Sequence, residues 1–279
     1  MEYGMPEGAV GAPLKERRHR APRFGRGDGA SDSSAANSIS DLRVSIVIPT
    51  LNEAANLPYV LAELPAGLHE VVLVDGFSTD GTVEVAKRLR PDIRVVLQSR
   101  PGKGDALACG FAAATGDVIV MFDADGSADP AEIPRFVDAL VAGADFAKGT
   151  RFREDGGSAD LTPVRRTGNR ALGWLFNLLY RTRYTDLCYG YNAFWRDCVP
   201  VIAVDCAGFE VETLISVRVS RAGLNVAEVP SFERSRIHGE SKLRTLRDGM
   251  RVLHIMVWER WRSGPGPEQP QLEPARACP

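Results

Sequence analysis

At 279 residues, with 44% hydrophobic side chains and a formal net charge of −2, the chain holds enough apolar material for one large domain or two small ones. It has no overall positive field to draw it to nucleic acid, and no apolar run approaches the roughly 18 residues that a membrane-spanning helix needs. Cys109, Cys188, Cys198, Cys206 and Cys278 lack the C-x-x-C spacing of a metal site and, with no secretory signal, read as reduced thiols of a cytosolic protein.

Residues 1–41 are rich in Gly, Ala, Ser and Pro with no apolar period, which predicts a disordered tail. Its basic patch, Lys15 to Arg20, is open to two readings, a solubilising tail or a contact for acidic lipid or nucleic acid. Strands are expected at Val44–Ile48, Glu70–Val74, Ile93–Leu97, Asp117–Phe122 and Asp145–Lys148. Helices are expected between them at Glu53–Leu64, Asp80–Leu89, Gly104–Ala114 and Pro130–Val141. This alternation predicts an α/β fold, a mostly parallel central sheet flanked by helices, with right-handed crossovers that leave the strand ends on one edge. Further on, Ala171–Tyr180 is apolar nearly all round and too short to span a bilayer; it is either a buried core helix or the lining of a lipid groove. Residues 241–262 set Leu243, Leu246, Met250, Leu253, Val257 and Trp261 on one helical face beside Lys242 and several arginines. Such a basic amphipathic helix, with Trp258 and Trp261, suits a membrane interface or packing on the domain. The organisation expected is a tail to residue 41, a globular domain over 42–240, the helix over 241–262 and a proline-rich tail from 263.

The strand Val118–Phe122 carries most of the chemistry, because it ends in Asp123-Ala124-Asp125-Gly126. Its unbroken Val and Ile content reads as a strand covered on both faces, and residues at the carboxyl end of such strands open into the ligand crevice. Two carboxylates there repel unless a cation or donor sits between them, and Mg²⁺ or Mn²⁺ prefers that oxygen set, usually with substrate phosphates completing the shell. A solvated acidic turn with Gly126 as its bend is the plainer alternative.

The other loops on that edge are polar as well. After the first strand come Pro49-Thr50-Leu51-Asn52-Glu53, where Asn52 or Thr50 can cap the next helix and Glu53 can complement its dipole. After the second comes Asp75, which has no capping task and can accept from a nucleobase N–H or a ribose hydroxyl, while Asp80 reads as an N-cap. Arg100-Pro-Gly-Lys103-Gly104 opens a helix whose free N–H groups favour an anion, although the spacing is not that of a P-loop. The lack of G-x-G-x-x-G after the first strand argues against a dinucleotide dehydrogenase.

Taken in order, Val-Ile-Pro49-Thr-Leu-Asn52-Glu53, Val-Asp75-x-x-Ser-Thr-Asp-Gly-Thr, Gly-Lys103-Gly, Asp123-Ala124-Asp125-Gly, Gly149-Thr-Arg151 and Gly239-Glu-Ser-Lys242 resemble the family 2 glycosyltransferases over residues 43–250. Within that family the pattern is similar to the dolichyl- or polyprenyl-phosphate mannosyl- and glucosyltransferases. The resemblance implies a GT-A type fold and a GDP- or UDP-hexose donor. Pro49, Asn52, Glu53, Asp75, Lys103 and Ala124 would border that donor, Asp123 and Asp125 would hold the metal on its diphosphate, and Arg236 and Lys242 would touch the diphosphate. It also implies that Arg151 and Arg165, or another arginine of Arg165–Arg170, face the acceptor phosphate. The chain departs from the family in having Gly76 where a second Asp is common, and Ser127, with Asp129 beyond, where a Gln often adds a metal ligand.

Leaving-group charge on a diphosphate is stabilised by a divalent ion without proton transfer. A hydroxyl acceptor would then need a carboxylate base, for which Asp186, Glu210 and Glu212 are candidates; a polyprenyl phosphate oxygen, already anionic, needs only arginines to position it. The expectation is a metal-dependent, inverting hexosyltransferase acting on polyprenyl phosphate from the cytoplasmic side, with peripheral membrane contact. The alternative is the same chemistry on a soluble hydroxyl.

Overall fold

The computed structural model describes residues 42–239 and 245–262. Its strands and helices alternate from β1 (Val44–Thr50) through α1 (Leu57–Glu63), β2 (Glu70–Asp75), α2 (Thr82–Leu89), β3 (Arg94–Leu97), α3 (Lys103–Ala113), β4 (Val118–Met121) and α4 (Ile133–Val141) to β5 (Phe146–Thr150). There follow β6 (Gly157–Ser158), the long α5 (Pro163–Tyr180), β7 (Asn192–Trp195), a single turn α6 (Val199–Ile202), α7 (Val211–Arg221), β8 (Val226–Pro230), β9 (Phe232–Glu233) and α8 (Thr245–Trp261).

Seven strands form one sheet in the order β3-β2-β1-β4-β7-β5-β8, and β6 pairs with β9 in a small ribbon. Only β7 runs antiparallel in the large sheet, bonded to β4 on one side and β5 on the other. The β-branched strands alternate their side chains between two apolar layers, as a pleat requires. Ile46, Ile48, Leu73 and Val120 face α1 and α4 through Leu57, Val60, Phe136 and Leu140. Val47, Val72, Val74 and Ile119 face α3, α6 and α7 through Leu107, Phe111, Ile202 and Ile215. A third cluster, Phe176, Tyr184, Leu187, Val217, Val252 and Met256, joins α5, α7 and α8.

The strand ends are level. Thr50 lies opposite Asp75 in the β1–β2 register, and Val47 opposite Met121, so Asp123 comes two residues beyond on the same edge. Several expectations change. The Asp145–Lys148 strand, β5, lies beyond β7, a strand not expected from the sequence, which inserts between it and β4. The first helix begins at Leu57, not Glu53: Asn52 takes a left-handed φ of 58°, and the side chain at the N-cap position, Asn56, makes no capping bond. The 171–180 stretch belongs to an amphipathic helix, with Phe176 buried and Trp174 and Leu178 exposed on its far side. On α8 the face toward the domain is Val252 and Met256, while Met250, Val257 and Trp261 point outward.

Candidate active site

The first wall of the site is the pair of loops after β1 and β2, which are stitched together. Asn52 neither caps α1 nor stands free: its Oδ1 accepts the Thr79 N–H at 2.8 Å, and its own N–H donates to Ser78 Oγ at 2.9 Å. Asp80 accepts from Thr82 N–H and Ala54 N–H, both at 3.0 Å, so it serves both loops. Pro49 pairs with Val74 inside the β1–β2 register. Asp75 is left with a divided carboxylate. Its Oδ2 accepts the Ser78 N–H at 3.1 Å, whereas Oδ1 is buried with no hydrogen-bond partner among the described residues. An orphaned buried carboxylate oxygen is costly unless something donates to it.

At the centre, Lys103, the first residue of α3, places its ammonium 2.8 Å from Asp123 Oδ1 and 2.8 Å from Glu212 Oε1. Burial alone would lower the Lys103 pKa, but the two carboxylates outweigh it and hold it above the ordinary lysine value. Glu212 at the start of α7 is thus the anchor of Lys103 and not a free base. Gly190 completes this corner: a Cβ there would lie 3.2 Å from both Asp123 Oδ2 and Lys103 Nζ, so only glycine admits the cluster without displacement. No periodicity in the sequence singles Gly190 out.

Asp125 holds its loop through Oδ1, which accepts the Ser127 N–H at 2.9 Å, and its Oδ2 lies 2.7 Å from Arg236 Nη2. Arg236 also reaches Glu53 Oε1 at 3.5 Å, and Glu53 accepts from Asn56 Nδ2 at 2.5 Å. The strand-like segment 234–238 lies along the acidic loop: Arg234 N–H donates to Ser127 O at 2.7 Å, Ile237 N–H to Asp125 O at 3.2 Å, and His238 N–H to Asn56 Oδ1 at 2.9 Å. Gly126, at φ 78°, lets Ile237 close on this turn, since a Cβ would fall 2.4 Å from Ile237 Cδ1. Ala124 turns its methyl into the core. Asp129 is committed elsewhere, 2.6 Å from Arg234 Nη2 and accepting from Ala131 N–H. Among the described residues no group of three or more His, Cys, Asp or Glu is placed to hold a metal. Asp123 and Asp125 at the end of β4 form a carboxylate pair of the kind that fits Mg²⁺ or Mn²⁺ shared with a diphosphate and water. Lys242 lies outside the described residues.

The second wall holds Arg151 in a buried network. Its guanidinium is buried, donating from Nε and Nη2 to Asp186 at 2.7 and 3.0 Å and from Nη1 to Glu233 at 3.0 Å. It also stacks 4.8 Å from the Tyr189 ring centroid. Burial would raise the Asp186 pKa, yet Arg151, Lys148 and the Asn169 amide hold it below the ordinary carboxylate value. In this structure Arg151 and Asp186 are paired with one another, and Arg151 with Glu233 as well. Arg165 lies 3.7 Å from Asp160 Oδ2. Its neighbours Arg166 and Arg170, four residues apart on α5, are exposed and gather instead over Phe152, 5.8 and 5.4 Å from the ring centroid. Neither makes an ion pair with a described carboxylate. Glu210 accepts the Gly208 N–H through Oε1 at 3.1 Å, and its Oε2 is buried without a partner among the described residues.

An acidic pair at the end of β4, a lysine beside it and a mostly parallel sheet with one reversed strand define a nucleotide-sugar transferase of the GT-A fold. The chain belongs to glycosyl transferase family 2, whose family model matches residues 45–214. It is 34% identical over 217 residues to the uncharacterized glycosyltransferase Rv0539 of Mycobacterium tuberculosis, covering 77% of this chain and 96% of that one. It is 32% identical over 213 residues to glycosyltransferase AglJ of Haloferax volcanii, covering 74% of this chain and 68% of that one. Among solved structures, glucosyl-3-phosphoglycerate synthase of M. tuberculosis, in complex with Mn²⁺, UDP and glucosyl-3-phosphoglycerate, superposes with a TM-score of 0.64 at 24% identity, over 85% of this chain and 86% of that one. At that identity the likeness is one of fold. The protein is a glycosyltransferase.

Proposed function

We propose that this enzyme transfers a hexose, with inversion, from a UDP-sugar to the phosphate of a polyprenyl phosphate at the cytoplasmic face of a membrane, with Mg²⁺ or Mn²⁺. The observation that carries the acceptor is on α5. Arg166 and Arg170, both without carboxylate partners among the described residues, are followed on the same side of the helix by exposed Trp174 and Leu178. That order, two guanidiniums and then a greasy stripe, is the pattern of a phosphate headgroup continued by a hydrocarbon. Residues four apart on a helix share a face, so both arginines can converge on one anion.

The donor reading rests on Asp75. One unpaired oxygen matches the single imide N–H of uracil, whereas guanine presents two adjacent donors that call for both carboxylate oxygens. The UDP complex of the structurally similar synthase is in keeping with this. When bound between Asp123, Asp125 and the diphosphate, the metal supplies Lewis-acid stabilisation of leaving-group charge. Lys103 and Arg236 add positive charge beside the same carboxylates. As the anomeric C–O bond breaks, its electron pair stays with the diphosphate, and an acceptor phosphate oxygen forms the new bond from the opposite face. No proton has to be removed, which suits a site where Asp186 and Glu212 are ion-paired.

Radiolabelled UDP- and GDP-hexoses offered with polyprenyl phosphate, followed by organic extraction, test the reading. Label should pass from UDP-hexose into the organic phase. Arg166→Gln/Arg170→Gln should raise the acceptor KM about tenfold or more, with kcat little changed. A hydroxyl acceptor remains the second reading because Glu210 Oε2 is buried without a partner. Transfer to a soluble hydroxyl that collapses in Glu210→Gln, with none to polyprenyl phosphate, would establish it and overturn the first.

A further inference from the structure

The described part of α8 has two unlike faces. Toward the domain it places Val252 and Met256 in the cluster shared with Phe176 and Val217. The helix's acids are on this inner side as well. Glu259 is buried at 3.0 Å from both Arg218 Nη2 and Arg262 Nη1, and Asp248 is buried with Arg251 3.5 Å away. What remains exposed from residue 247 to 261 is Arg247, Met250, Arg251, His254, Val257, Trp258, Arg260 and Trp261. Met250 is 66% exposed, Trp258 59% and Trp261 70%. No carboxylate of the helix lies on that outer surface, and no helix among the described residues is long and apolar enough to cross a membrane.

From this face we infer that α8 is a docking surface for an anionic lipid bilayer, lying flat with Met250, Val257, Trp258 and Trp261 inserted at headgroup depth. Large apolar side chains alone would suit many partners. Their company decides the matter: arginines at 247 and 260 interleave with them, every helix acid is turned inward and paired, Asp248 with Arg251, and tryptophan's amphipathic ring favours the boundary between water and hydrocarbon. A protein partner of ordinary composition would meet this face with apolar and acidic groups in a fixed shape; a bilayer requires only a flat apolar stripe with a positive rim. The helix is held by buried ion pairs and a packed inner face, so its outer side chains can enter lipid without the fold opening. The inference draws its purpose from the lipid-acceptor reading, since a docked domain would meet its acceptor at the surface that holds it.

Flotation of the full chain with phosphatidylcholine vesicles, and with vesicles containing one-third phosphatidylglycerol, tests it without nucleotide or acceptor. The protein should float with the anionic vesicles, less so at high salt, with a blue shift of tryptophan emission. Trp258→Ser/Trp261→Ser should lower the bound fraction at least tenfold with an unchanged circular dichroism spectrum. Arg247→Gln/Arg260→Gln should weaken binding to anionic vesicles and leave the weak binding to phosphatidylcholine as it is. Failure to float with anionic vesicles at low salt overturns the proposal. So does flotation that ignores both double variants, or self-association by light scattering that the tryptophan variant abolishes, which would make the face a contact between copies. Transfer to a short-chain, water-soluble prenyl phosphate without vesicles separates the two ideas. If that transfer persists while flotation fails, only the docking surface is wrong; if flotation holds and no prenyl phosphate is glycosylated, only the acceptor reading is wrong.

Discussion

The half of the site on β1, β2 and β4, which we propose takes the donor, and the half on β5 and α5, which we propose takes the acceptor, use charge in opposite ways. On the donor side polar groups stand at strand ends: Asp75 has an oxygen without a partner among the described residues, and Asp123 and Asp125 each meet one cation, with Asp125 also bonded to its own loop. On the acceptor side the residues that look most reactive are buried in one another's company. Arg151, Asp186, Asn169 and Glu233 form a closed network under Tyr189, and the charges left for a ligand are the plainer arginines on the outer turn of α5. The lesson is that a charged motif residue reads differently according to whether it is closed in a buried network or stands at a strand end. A buried pair is there to fix geometry, and its removal should cost stability before it costs chemistry.

That contrast can be broken most directly at Asp186. Asp186→Asn or Arg151→Ala should destabilise the fold by about 3–5 kcal/mol, the cost of leaving a buried charge without its partner, read from urea unfolding. Because the folded Asp186 pKa lies below its unfolded value, its contribution is present above about pH 4 and is lost as pH falls through the folded pKa. The Asn variant should therefore show a flatter acid limb than the parent. A normal unfolding midpoint with lost turnover would place Arg151 back among the substrate contacts.

Asp125→Ala should do the reverse. Turnover should fall about a hundredfold or more, because Lewis-acid stabilisation is worth several kcal/mol, while the midpoint changes little. Chelation of Mg²⁺ and Mn²⁺ should abolish activity in the parent. Retained rates in Asp125→Ala with native circular dichroism would remove the metal assignment.

The smallest effect belongs to Asp75. Asp75→Ala should raise the UDP Kd about ten- to a hundredfold, as expected for a hydrogen bond to a charged group. The kcat at saturating donor should change little, since the nucleobase is remote from the breaking bond. Calorimetry with UDP and GDP reads it; a larger loss for GDP than for UDP would reassign the base.

The order of the first five strands and the loops after them was legible from residue type, whereas β7 and β8 were not. Uninterrupted β-branched runs at Val44–Ile48 and Val118–Phe122 have few other uses, and polar residues immediately after them can only emerge on one edge. Asp75, Asp123, Asp125 and Lys103 were therefore recognisable as a group: Asp75 ends β2, Lys103 opens α3, and Asp123 and Asp125 follow the last residue of β4 by two and four positions. Tertiary structure alone decided which charges are spent. Arg151 meets Asp186, 35 residues on, and Glu233, 82 residues on, and Lys103 meets Glu212 across the sheet edge. No local pattern reports such pairings, because they depend on which faces the packed helices bring together. The same holds for α8, whose apolar residues lie on two sides; only its seating on Phe176 and Val217 shows that Val252 and Met256 belong to the core and that the tryptophans look outward. Local preference writes the elements, whereas the fate of a charge or an apolar stripe depends on what stands opposite it, and that is a property of the assembled fold.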